Sequence, residues 1–321
     1  MTQPLHYTPK AIQALLNVPP SAPPGAIAGF RYLVSKLRAA QVFVLADHGQ
    51  LLERDRPRPE VAGDIFRPPF PVVALEYTAQ AEQWTDGFYA SERCSKRIAL
   101  AWEWQDDMPP ELAVWQRRTM SPGVVVASIA FYDSKQTWVP VAAGMHIPFE
   151  DPWREQGPPT PFLQAALASG RIKQAVTKQR ALATTPIALI PEAVSAVMAA
   201  RGGVVGALDI FGADTMDEVN AYTDLCYALA CKNVTARENR APTSLNKQRL
   251  KAGKLPLKGF HVLELSGGAE MPGIGGSAGP RSGPRSHLRR GHIRRLPGER
   301  VTWVNSTVVR GRGFVDKVYA A

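Results

Sequence analysis

No apolar run in this 321-residue chain approaches the ~18–20 residues a membrane-spanning helix needs, and the opening MTQPLHYTPK has no hydrophobic signal core. The expectation is a chain that stays in the cytoplasm where it is made, with no membrane partner. Cysteine is scarce too: Cys94, Cys226 and Cys231 are odd in number and too sparse for a disulfide framework. Cys226 and Cys231 stand five apart in a segment of helical periodicity, about 140° around its axis, where they cannot easily bridge. The signatures of common catalysts are also missing. There is no phosphate-binding G-x-x-x-x-G-K-S/T, no dinucleotide fingerprint after a strand, no G-x-S-x-G elbow and no H-E-x-x-H. Residues 267–279 are glycine-rich, but prolines interrupt them and no helix follows, so they do not read as a phosphate cradle.

What is present is globular: 45% of residues are apolar and 21% charged, enough for one large or two ordinary domains. Pro 28 and Gly 26 point to many turns and irregular connections. The net charge of +10 hides a split. Residues 242–321 hold 15 Lys or Arg against 4 Asp or Glu, whereas the preceding 241 residues hold 23 bases and 24 acids. Such asymmetry marks a region that meets nucleic acid or another acidic surface.

Periodicity divides the near-neutral body, residues 1–241, into three parts. Residues 1–50 read as helical, with Thr8-Pro9 opening one helix and Pro24-Gly25 a second that carries Ile27, Phe30, Val34 and Leu37. Residues 51–71 are proline-rich and charged and read as a loop or linker. Strands follow at 71–77, 97–104, 123–132 and 137–147, and Pro140 places the last at an edge or a bulge. Helices return between 161 and 234: at 161–169, at 191–201, and at 215–233 behind a capping box of Thr215 and Glu218, with Val219, Tyr222, Cys226 and Leu229 as its core face.

The basic segment reads as a small module of its own. A short helix is expected in 245–257, ended by Gly253, then a strand at 260–265, a flexible Gly/Ser/Pro tract at 266–284, and strand-like runs VTWVNSTVV and GFVDKVY. The fold class expected is therefore α+β: a mixed or antiparallel sheet with flanking helices plus a small basic carboxy-terminal α+β module.

The densest chemistry lies in His287, Arg289, Arg290, His292, Arg294 and Arg295. So many cations in nine residues repel one another unless they face solvent or an anion. Guanidinium groups pair bidentately with phosphate, and Trp303, Phe314 and Tyr319 offer rings for base stacking. RNA or a ribonucleoprotein is the expected partner. His287 and His292 lack the companions that zinc requires, so no metal and no other cofactor is expected. The same two histidines beside arginines also fit general acid–base cleavage of RNA without metal, which stays open as an alternative to binding alone. Glu76 and Glu103 sit in apolar strands; alternation places both on a solvent face, unless adjacent strands bring them into one cleft.

Several stretches together, PFPVVALEY (69–77), SKRIAL (95–100), CKNV (231–234), LNKQRLKAGKLPLKGFHVL (245–263) and HLRRGHIRRLPGERVTWVNSTVV (287–309), resemble a family of phage, prophage and plasmid proteins. One branch of that family is a type V-A anti-CRISPR protein that lowers production of the effector nuclease by recognising the nascent effector chain and promoting loss of its message. The likeness is strong over about 80 carboxy-terminal residues and patchy elsewhere. It implies functional positions at Asn246, Arg249, His287, Arg289, Arg290, His292, Arg294 and Trp303, with Lys247 and Arg295 as neighbouring bases. It also implies a partner in bacterial defence, such as a nascent chain or effector protein. The reading is a host-modulating binding protein more than an enzyme.

Overall fold

The computed structural model describes residues 7–45, 47–52, 60, 63–79, 92–113, 120–155, 157–158, 160–170, 180–201 and 203–265, together with the backbone of 287–289, 292–295, 301–304 and 307–309. Helices α1 (Tyr7–Leu16) and α2 (Pro24–Ala39) lead into β1 (Gln41–Val44). Strands β2 (Val72–Thr78) and β3 (Cys94–Glu103) come next, then α3 (Pro110–Ala113), β4 (Gly123–Tyr132), β5 (Thr137–Pro140), β6 (Ala143–Pro148) and β7 (Trp153–Arg154). After α4 (Pro161–Ala168), β8 (Ala181–Leu182), β9 (Thr185–Ala188) and α5 (Pro191–Ala200), the long α6 (Val204–Leu229) crosses the molecule. The chain continues through β10 (Val234–Asn239), α7 (Thr243–Lys251) and β11 (Phe260–Leu265).

Nine strands form one mixed sheet in the order β10-β11-β1-β2-β3-β4-β6-β9, with β5 also on β4. β1 runs parallel to β11 and to β2, and the remaining pairs are antiparallel. Helices cover both faces, which is why β4 reads as an almost unbroken apolar run. On one face Tyr32, Leu33 and Leu37 of α2 and Ala11, Ile12 and Leu15 of α1 pack on Ala74, Leu100 and Ile129. On the other, Phe211, Tyr222 and Leu225 of α6 pack on Leu75, Ala101 and Val126. The α+β class and the mixed sheet with flanking helices are as the sequence pattern implies.

Several local expectations are overturned. The helical reading of 1–50 misses β1, whose Phe43 is fully buried in mid-sheet. Of the two readings of 51–71, the described part is a packed loop and not a linker: Phe66 lies buried against Trp153 and Tyr227, and its carbonyl accepts from the Tyr222 hydroxyl at 2.7 Å. The strand expected at 137–147 breaks after Pro140, where Val141 donates to Ser128 O, so β5 and β6 share β4 end to end. The capping box is not one. Thr215 lies inside α6 and donates to Phe211 O at 2.7 Å, because the helix starts eleven residues earlier. The expected core face of that helix does hold, with Val219, Tyr222 and Cys226 buried. Burial pushes the thiols of Cys94 and Cys231 up to about 11 and that of Cys226 to about 12, which keeps all three protonated and inert.

Glu76 and Glu103 do not share a cleft, and Glu76 is not on a solvent face. In the β2–β3 register Glu76 lies opposite Ile98, whereas Glu103 falls beyond the Val72–Trp102 pair and on the other face. Glu76 is buried and accepts from the amide N–H of Tyr7 at 2.8 Å and of Thr8 at 2.7 Å, two donors the first turn of α1 leaves unpaired. Glu103 instead meets Arg67 at 3.3 Å. Burial pushes the Glu76 carboxyl above its ordinary range, against the opposing pull of those two N–H groups. Glu76→Ala is expected to lose about 1–3 kcal/mol of stability, the cost of two unsatisfied buried donors. Because the folded pKa is raised, the contribution of Glu76 is full below about pH 4 and declines as pH rises through the folded value. Denaturant titrations from about pH 4 to about pH 7 should therefore show the gap between wild type and variant narrowing.

Candidate nucleic-acid interface

The basic segment begins on the sheet. β10 and β11 pair over six residues, and β11 in turn pairs with β1, so sheet hydrogen bonding crosses the boundary drawn at residue 241. Between β10 and β11, helix α7 buries none of its residues. Its lack of an apolar face follows from its sequence, TSLNKQRLK, and its anchorage comes from polar side chains instead. Asn246 donates from Nδ2 to Leu257 O at 2.8 Å and accepts from Leu257 N at 2.7 Å. Arg249 donates from Nε to Leu255 O at 2.9 Å. Gly253, at φ +65°, makes the reversal between them.

This geometry places two resemblance-derived positions in structural work. Asn246 uses both ends of its amide to hold the 252–257 turn, and Arg249 braces the same turn, whereas Lys247 and Lys251 of the helix and Lys254 beyond it stand exposed. Asn246→Ala is expected to lose about 1–2 kcal/mol of stability. Amide hydrogen exchange across 243–258 should speed up correspondingly.

Lys258 is a residue the sequence reading passed over. Its ammonium sits at the carboxyl end of α2 and donates to Leu37 O at 3.1 Å, Arg38 O at 2.5 Å and Ala40 O at 2.7 Å. Helix-end carbonyls lack intrahelical partners and carry partial negative charge, so a cation is held there despite a burial that pushes its pKa down. No sequence signal marks this contact, because its two halves lie more than two hundred positions apart.

Beyond Leu265 the described backbone is strand. β12 (His287–Arg289) pairs antiparallel with β15 (Thr307–Val309), and β13 (His292–Arg295) with β14 (Val301–Val304). The arginine-rich stretch is thus one arm of an interrupted antiparallel ladder. Its register sets Arg289 opposite Thr307, Arg294 opposite Thr302, Arg295 opposite Val301 and Ile293 opposite Trp303. No acidic residue stands opposite any described arginine of the arm. His287 pairs with Val309 and His292 with Val304, so the two histidines are not cross-strand neighbours. Arg290, the Gly/Ser/Pro tract at 266–284 and the expected strand at 313–319 lie outside the described residues.

Among its described residues, the body offers these arginines no uncommitted buried carboxylate. The buried carboxylates among the described residues are Glu76, Glu218 and Asp224. Glu76 is taken by α1. Glu218 receives Arg97 Nη1 at 3.1 and 3.2 Å and the Tyr77 hydroxyl at 2.9 Å. Asp224 accepts from Leu51 N and Leu52 N at 3.3 and 3.2 Å. Within the module Glu264 already meets Arg237 of β10 at 2.8 Å. Residues 242–263 carry five bases and no acid. No group of His, Cys, Asp and Glu among the described residues is arranged to hold a metal.

No family model and no curated protein matches the chain. Among solved structures, the crystal structure of AcrVA2 is similar over 96% of this chain and 86% of that one, at 14% identity and a TM-score of 0.33.

Proposed function

We propose that the protein is a host-modulating, anti-CRISPR-like binding protein of a phage or mobile element that works in the bacterial cytoplasm. It acts on RNA or a ribonucleoprotein linked to translation through its basic carboxy-terminal segment, while the near-neutral body recognises a protein partner. The motif combination ending in HLRRGHIRR supports the first part of the reading. One observation carries the second: bases gather in residues 242–321, while the buried carboxylates that might have neutralised them are committed within the body.

Positive charge without internal compensation is stabilised by phosphate, and counterion release makes such binding fall steeply with salt. The test is retention of single-stranded RNA by the purified protein across a salt series. Tight binding at low salt that weakens log-linearly supports the reading; no retention at low salt overturns it. Metal-independent cleavage of the RNA, abolished by His292→Ala with binding intact, would replace binding alone by a ribonuclease using His287 and His292.

A further inference from the structure

Helix α7 is nine residues long and buries none of them. A helix shorter than about 12 residues does not hold itself in water, and packing of an apolar face normally supplies what is missing. Here the Asn246 amide and the Arg249 guanidinium supply it, by fixing the helix to the 252–257 turn. That turn is itself placed, because Leu255 packs on the core beneath α2 and Lys258 is seated on the α2 end. The product is a helix with a set position at the β10–β11 end of the sheet that adds nothing to the core.

What this helix presents is positive charge. Lys247 and Lys251, one turn apart, and Lys254 just past Gly253 are exposed, and residues 242–263 contain no acid. The acids of the adjoining strands are occupied, Glu264 by Arg237 at 2.8 Å and Glu238 by Arg240 at 3.3 Å. Like charges at i and i+4 repel along a helix. A cation in the last turn suits the helix dipole, which accounts for Lys251. Lys247 in the middle of the helix and Lys254 outside it have no such reason, and an anion brought by a partner supplies one. Lysine ammonium groups act as point charges on phosphate oxygens, which suits contacts to a sugar–phosphate backbone.

We propose that α7 is a rigid phosphate-docking face on which Lys247, Lys251 and Lys254 hold the backbone of a single-stranded RNA. The polyanion site then has a fixed part on the sheet in addition to the arginine arm. The proposal rests on the RNA-binding reading and adds to it a contact whose position is set by the folded body.

The test uses two variants, one with Lys247→Ala, Lys251→Ala and Lys254→Ala together and one with all three lysines changed to Arg. Each is titrated with a fluorescent single-stranded RNA over a salt series. The alanine variant should keep or raise the thermal midpoint, since exposed like charges are removed. Loss of three phosphate contacts should make its slope of log affinity against log salt shallower by about 2 and weaken binding on the order of a hundredfold at about 50 mM salt, while the arginine variant behaves as wild type. That result supports the proposal. An alanine variant that binds as wild type overturns it, leaves the arginine-arm reading standing, and leaves this face to another acidic partner such as a protein surface. A lowered thermal midpoint in the alanine variant, or equal weakening in the arginine variant, also overturns it, because the lysines would then be structural. If the wild-type protein retains no RNA, this proposal and the RNA-binding reading fall together.

Discussion

Glu218→Ala is expected to cost about 3–5 kcal/mol, a larger loss of stability than either Glu76→Ala or Asn246→Ala should bring. Glu218 is a fully buried residue of α6, and three hydrogen bonds converge on it, two from Arg97 and one from the Tyr77 hydroxyl. Burial pulls the Arg97 pKa down, yet the facing carboxylate more than offsets it and keeps the guanidinium charged. Removing the carboxylate therefore strands a cation with only 18% of its side chain exposed and a buried phenol without an acceptor. The penalty is that of the partners left behind, not the worth of the ion pair itself. Replacing the whole group by apolar residues, Arg97→Met, Tyr77→Phe and Glu218→Leu together, should accordingly recover most of the loss. Urea titration of the single and triple variants checks this, and a single variant losing less than about 1 kcal/mol would show that the pair is not shielded from water.

The same residue shows where sequence reasoning reached and where it stopped. Local signals placed α2, α4, α5, β2, β3 and β4 within a few residues, because proline starts, glycine stops and long β-branched runs act over short distances. Glu218 three residues after Thr215 looks like a capping box, but the helix was already running. Gly206 and Gly212 weaken its first half locally, and packing of Ala207 and Phe211 on the sheet outweighs them. β1 escaped because four residues directly after a helix carry too little periodicity to declare a strand, and its pairing partners lie at 73–76 and 260–261.

Glu76 was misplaced for a related reason. Alternation puts a polar residue on a face, but only the tertiary fold shows that α1 closes that face and offers two amide donors there. The candidate interface was legible as charge, since composition alone reveals the surplus of arginine. It was not legible as geometry. The clamp between Asn246 and Leu257 and the seat of Lys258 on α2 depend on contacts that no spacing rule encodes.

Charge removal from the arginine arm is expected to have the largest effect on binding. On the proposed reading, changing Arg289, Arg290, Arg294 and Arg295 together to Ala deletes four phosphate partners. On a single strand, that should make the slope of log affinity against log salt shallower by about 3, and weaken binding on the order of a thousandfold near 50 mM salt. The fold should survive, because β12 and β13 are held by backbone ladders that alanine retains, and the body's buried carboxylates have other partners. An Arg paired inside the protein would behave otherwise, lowering stability while leaving the salt slope alone.

The most direct measurement is equilibrium binding of a fluorescent single-stranded RNA to the wild-type protein and to this four-arginine variant over a series of salt concentrations. Affinity that falls steeply with salt for the wild type, and weakly for an equally stable variant, is the expected result. Two parallel salt dependences, or a variant that unfolds, would contradict an outward-facing cationic arm awaiting an external polyanion.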